Sequence, residues 1–165
     1  MRTAVTSFDF SRENFLWLRH VPTTIQRFDA VFSVRANATG TAHVAVIFRE
    51  ERRSNGQTVR HVWFVDYQGK SLVSEQTYDA TEKRKDRFIL DWTDSVLPRT
   101  QWLQLRARAV GTRTELYVNN QLFRTVPVSV QKASPLAVHL TKFGESVHAT
   151  LEISEAKIEQ LNSPK

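Results

Sequence analysis

Between Trp102 and Arg124 the chain reads WLQLRARAVGTRTELYVNNQLFR. Leu103, Leu105, Ala107 and Ala109 alternate with Gln104, Arg106 and Arg108. Leu116 and Val118 then alternate with Glu115, Tyr117 and Asn119. A two-residue period held over this length is that of a half-buried strand, since a helix repeats its apolar positions every three or four residues. Gly111 opens one turn, and Asn119-Asn120 tolerates the positive φ values of a tight hairpin. Three extended runs and two tight turns predict an antiparallel meander with one face in a core.

The rest of the chain has the same grammar. Thr3–Phe10 alternates loosely, Phe15–Leu18 is a short apolar run, and Ile25–Ala36 carries Phe28, Ala30, Phe32 and Val34 on one side. Val44, Val46 and Phe48 alternate along the next run, which ends in a charged hairpin tip at Arg49–Gly56 with Asn55-Gly56 as its turn. Val59–Tyr67 is dense in β-branched and aromatic residues, and Leu72–Tyr78 is weakly extended. Glu82–Arg87, a run of charges, reads as a loop before a short strand at Phe88–Trp92. Leu136–Leu140 and Val147–Ile153 close the pattern, and Ile158 and Leu161 either extend the last strand or cap it with one helical turn. The expected fold is all-β, a sandwich of two antiparallel sheets with little helix.

A chain of 165 residues is expected to form one domain spanning 1–165, able to bury about 70% of its unfolded surface without a covalent staple. It has no cysteine, which excludes thiol catalysis, thiolate metal sites and disulfides. No stretch approaches the ~20 apolar residues of a membrane helix. The first residues lack the apolar run of a signal peptide, and the compartment stays open, including the reading that this is a domain of a longer secreted protein. The net charge of +6 adds a polyanion to the partners to be considered, although its charges are interspersed with acids.

Nothing in the sequence calls for a cofactor. Glycine loops for phosphate and Asp-x-Asp-x-Asp calcium loops are missing. No histidine pair has metal-ligand spacing on one strand, although His43 and His61 fall on neighbouring strands and read as sharing a face. Asn37-Ala38-Thr39 is a glycosylation triplet.

The phrases Trp102-Leu103-Gln104-Leu105-Arg106, Glu115-Leu116-Tyr117-Val118-Asn119-Asn120, Thr150-Leu151-Glu152-Ile153 and Val46-Ile47-Phe48-Arg49 resemble the concanavalin A-like lectin/glucanase superfamily. The nearest branches are the laminin-G-like and 3-keto-disaccharide-hydrolase-like domains, where a glycine stands at the position of Asn120. The resemblance implies a jelly roll whose concave sheet carries a sugar in many members. Glycanases of this group place carboxylates two residues apart on one strand as nucleophile and acid/base, and no strand here does so.

If Val44, Val46, Phe48, Val62 and Phe64 face the core, then His43, Arg49, His61, Trp63 and Tyr67 project outward from adjacent strands. By the same alternation Gln104, Arg106 and Tyr117 are outward in the meander. These residues form the expected ligand-binding face, with Trp17, Trp92 and Trp102 anchoring strand ends in the core. The functions that follow are a non-catalytic carbohydrate-binding module, a structural or assembly subunit, or a glycoside-cleaving enzyme of the 3-keto-disaccharide-hydrolase-like branch. The partners are a glycan or another protein, with oligomerisation open.

Overall fold

The computed structural model describes residues 6–9, 15–18, 27–38, 42–66, 70–81, 83–94, 102–128, 136–142 and 149–161. Twelve strands run in chain order: β1 (Thr6–Asp9), β2 (Phe15–Leu18), β3 (Phe28–Ala38), β4 (Ala42–Arg52), β5 (Thr58–Asp66), β6 (Lys70–Tyr78), β7 (Arg84–Asp94), β8 (Leu103–Val110), β9 (Arg113–Val118), β10 (Gln121–Val126), β11 (Leu136–Lys142) and β12 (Ala149–Gln160). They form two antiparallel sheets. Sheet I has the order β1-β12-β3-β8-β9-β10, and sheet II the order β2-β11-β4-β5-β6-β7. The described residues contain no helix, and so none long and apolar enough to cross a membrane.

The core lies between the sheets. Phe28, Ala30, Phe32 and Val34 of β3 and the alternating Leu103–Ala109 of β8 meet Val44, Val46 and Phe48 of β4, Trp63 and Val65 of β5, and Leu136 and Val138 of β11. Each valine, leucine or phenylalanine among them contributes about 1.5–3 kcal/mol on leaving water. A second, smaller buried cluster lies on the outer face of sheet II: Ala45, Ile47, Val62, Phe64, Leu72 and Ala137. Strands β4 and β5 are therefore apolar on both faces.

The meander is as expected: β8, β9 and β10 pair in sequence, with Leu105 opposite Val118 and Ala107 opposite Leu116. Asn119 and Asn120 have φ of 48° and 65°, the left-handed pair of a type I′ turn, whose hand matches the twist of its strands. Asn120→Ala is expected to destabilise the protein by about 1 kcal/mol and Asn120→Gly to be neutral or better, because left-handed backbone penalises a plain Cβ. Urea titration measures both, and equal losses would refute this account of the turn.

One expectation is corrected: within the run read as a loop, Arg84–Arg87 already belong to β7 and pair with β6. The charges misled because an exposed edge strand has no apolar face to display. Residue 158 continues β12, whose partner Ala30 lies on β3, so of the two readings of the chain end the extended one holds there.

Candidate functional site

The site begins with an irregularity in β4. Ile47 pairs with Val62 and Arg49 with His61, which leaves Phe48 as one extra residue. Such a bulge lets two consecutive side chains lean to one side. Phe48 stays in the core, and Arg49 turns to the same interior side, where it meets His61. Glu50 then falls on the outer face, bonded to Arg60, whose guanidinium lies 4.8 Å over the Tyr78 ring.

Arg49 and His61 share a cavity of about 400 Å³ with Glu75, Arg87, Phe88, Ile89, Pro127 and Val128. It opens at the side of the sandwich where β7 of sheet II faces the end of β10. The Pro127-Val128 wall is fixed by the buried hydroxyl of Thr114, which donates to the Val128 carbonyl at 2.9 Å. Arg49 bonds Glu51 at 2.6 Å. Glu75 accepts from Arg87 at 3.1 Å, and its carboxylate lies 3.2 Å from His61 Nε2.

His61 is the buried member, its side chain 4% exposed. Burial, and after it the positive charge of Arg49, lower its pKa to about 4 against the opposing pull of Glu75. The ring is neutral at pH 7. Its Nε2 faces a carboxylate and so carries the proton, which leaves Nδ1 as a lone-pair acceptor. Nδ1 is buried without a hydrogen-bond partner among the described residues. The cavity thus offers guanidinium donors and a carboxylate acceptor, beside a Phe88 ring that is 60% exposed.

Of the residues expected from sequence, Arg49 and His61 come together here. Trp63 does not: it is fully buried in the core, opposite Val46 and stacked on Phe123 at 6.3 Å. The parity assumed for β5 is reversed. Val62 and Phe64 take the outer face, where a second apolar cluster receives them. Tyr67 lies outside the described residues. His43 is on the outer face of sheet II, alternating with core-facing Val44, so it and His61 occupy opposite faces and form no pair. Its ring meets Trp92 at 4.8 Å. This contact links β4 to β7 across the outer face of sheet II. Trp92 is 41% exposed and lies on that face instead of anchoring the core. Trp102 is half-buried beneath the Arg35 guanidinium.

Gln104, Arg106 and Tyr117 lie on the outer face of sheet I, away from the cavity. Arg106 bonds Asp29 and lies 5.1 Å over the Tyr117 ring. The Tyr117 hydroxyl donates to Glu115 at 2.8 Å, and Gln104 is tied by its backbone to Asn119. This face is knitted to itself.

Sequence reasoning missed Glu75 and Arg87. A signal existed for the first: Glu75 shares the parity of core-facing Val73, and a carboxylate on a core-facing position must be paired. Among the described residues no group of three or more His, Asp or Glu is placed to hold a metal ion.

No protein-family model matches the chain, and no curated protein matches its sequence. Solved structures do. The carbohydrate-binding module CBM66 from Bacillus subtilis superposes with a TM-score of 0.54 at 15% identity, over 96% of each chain. Sheep galectin-11 gives 0.55 at 10% identity, over 90% of this chain and 98% of its own. An alginate lyase from Pseudomonas aeruginosa gives 0.52 at 10% identity, over 85% of this chain and 69% of its own. At these identities the likeness is one of fold, and the fold is that of the concanavalin A-like lectins and glucanases.

Proposed function

We propose that this protein is a non-catalytic carbohydrate-binding module that holds a sugar unit in the cavity between β7 and the end of β10. The observation that carries the reading is the convergence of Arg49, His61, Glu75 and Arg87 on one cavity beside an exposed phenyl ring. Sugars present hydroxyls that both donate and accept, together with apolar C–H faces. Arg87 donates to a ring or hydroxyl oxygen, Glu75 accepts from a hydroxyl, and Phe88 lies under a C–H face. A volume near 400 Å³ falls within the ~300–1,000 Å³ of small-molecule sites. Among the described residues Glu75 is the only carboxylate that lines the cavity, and glycoside hydrolysis by the usual route needs two, which favours binding over hydrolysis.

A glycan array spanning neutral and acidic sugars, followed by calorimetric titration of the hits, tests this. Arg87→Ala and Phe88→Ala are each expected to weaken binding by about tenfold, the scale of one charge-assisted hydrogen bond or one buried ring face. The reading fails if no glycan binds, or if a bound glycan is indifferent to both changes.

One observation favours a second reading. Two guanidinium groups at the cavity wall suit the carboxylate of a uronic sugar, and an alginate lyase shares the fold. Ultraviolet-absorbing unsaturated ends released from a uronic polymer, and lost in Arg87→Ala, would establish cleavage in place of simple binding.

A further inference from the structure

Strand β7 breaks register with β6 only between Ser71 and Ser74 of β6. From Glu75 to Tyr78 the pairing is regular, with Arg87 opposite Glu75 and Lys85 opposite Thr77. Arg87 and Lys85 therefore project from one face of β7, about 6.6 Å apart along the strand. Lys83 continues the pairing one step toward the hairpin tip, its carbonyl accepting from the Asp79 amide at 3.2 Å, and keeps the parity of Lys85. All three residues are exposed. A row of cations at every second residue thus leads from the sugar cavity, which Arg87 lines, to the end of the sheet.

The acids described at this end are already engaged. Glu51 bonds Arg49, Glu75 bonds Arg87, and Asp86 bonds Arg84 at 2.9 Å. Asp79 closes the hairpin turn, accepting from the Thr81 and Lys83 amides at 2.8 and 3.0 Å. Those bonds, Thr81 first, hold its carboxyl below the usual range, with a smaller pull from Lys85. Lys83 and Lys85 make no ion pair among the described residues. In a protein of net charge +6 like charges in a row repel one another, and a partner carrying anions at intervals relieves that repulsion.

We infer that the sugar in the cavity is one unit of an acidic polysaccharide, whose chain leaves the cavity along β7 with its carboxylates or sulfates against Lys85 and Lys83. This rests on the cavity being a sugar site and adds the class of sugar. Inside the cavity two guanidinium groups face one carboxylate, so an anionic unit suits it as well. Apart from Phe88 at the cavity itself, no exposed Phe or Trp lies along the row for bases to stack on, which favours a glycan over a single-stranded nucleic acid.

Calorimetric titration with polygalacturonate, alginate, dextran sulfate and neutral dextran tests the inference, with galacturonic acid as the single unit. An acidic polymer is expected to bind at least tenfold more tightly than dextran, and uronic against sulfated polymers tells which anion is read. Neither lysine lines the cavity. The double variant Lys83→Ala/Lys85→Ala is expected to weaken the acidic polymer about tenfold at low salt, less as salt rises, and to leave the single unit within about twofold. Lys70→Ala, which removes an exposed charge at the far end of β6, is expected to change nothing, and thermal melting checks that all variants fold. Glycan binding that needs Arg87 and Phe88 but ignores both lysines, or falls equally in Lys70→Ala, overturns the inference and leaves the cavity as a sugar site. Binding indifferent to Arg87 and Phe88 removes the sugar site and the inference with it. An RNA homopolymer bound as tightly, with the same lysine dependence, also overturns it, since the row then reads charge and not sugar.

Discussion

Trp63→Ala is expected to lower the stability of the folded protein by about 3–5 kcal/mol, the range for deleting a fully buried aromatic side chain. Trp63 is the largest fully buried side chain among the described residues. It stands between Val46 and Val73 of its own sheet, while its indole stacks nearly parallel, 9° off, on Phe123 of sheet I. The substitution removes contacts within sheet II and across to β10, and the small residues beside it, Val46 and Val73, cannot fill the volume. Domains of this size have about 5–15 kcal/mol in total, so the variant sits near the unfolding threshold. Urea denaturation followed by circular dichroism measures the loss. A cost under about 1 kcal/mol, the scale of a surface change, would place Trp63 on an exposed face and refute the register of β5.

The second large effect depends on pH. Folded His61 titrates near 4, and an unfolded histidine near 6.5. Above pH 6.5 the ring is neutral in both states and contributes nothing to the difference. Between 6.5 and 4 the unfolded chain takes a proton that the folded protein refuses, so stability falls as pH falls. Below 4 both states are protonated and the loss is complete. At 1.36 kcal/mol per pKa unit the total is on the order of 3 kcal/mol. Burial lowers the pKa of His43 as well, which adds a loss of the same sign. His61→Gln isolates the first contribution: an amide still donates toward Glu75 but does not titrate. The variant is expected to lose about 3 kcal/mol less than wild type between pH 6.5 and 4, read from urea midpoints at each pH. Parallel curves for the two proteins would mean that His61 takes up its proton over the same pH range folded as unfolded.

The meander was legible because each of its strands has one wet face and one dry face, so the two-residue period is written directly in Leu103–Ala109. Strand β5 was legible as a strand but not in its orientation. Val62, Trp63, Phe64 and Val65 are all apolar because both of its faces are buried, and an unbroken apolar run contains no information about which side faces the core. Arg49 and His61 were picked out as ligand-binding residues and do meet in the cavity, but by a route the alternation rule lacks. His61 faces the interior with Trp63, and Arg49 joins it only through the bulge at Phe48. Glu75 and Arg87 complete the site from β6 and β7, and their proximity depends on pairing that no local pattern records. Gln104, Arg106 and Tyr117 were read correctly as facing outward, but they face outward from the other sheet.

The extra residue at Phe48 has a consequence for what this strand can lose. Ile47 pairs with Val62 and Arg49 with His61, so a chain without Phe48 keeps both pairs and returns to plain alternation, with Arg49 still inward and Glu50 still outward. Such a deletion takes one phenyl ring from the core and leaves the cation at the cavity wall in place.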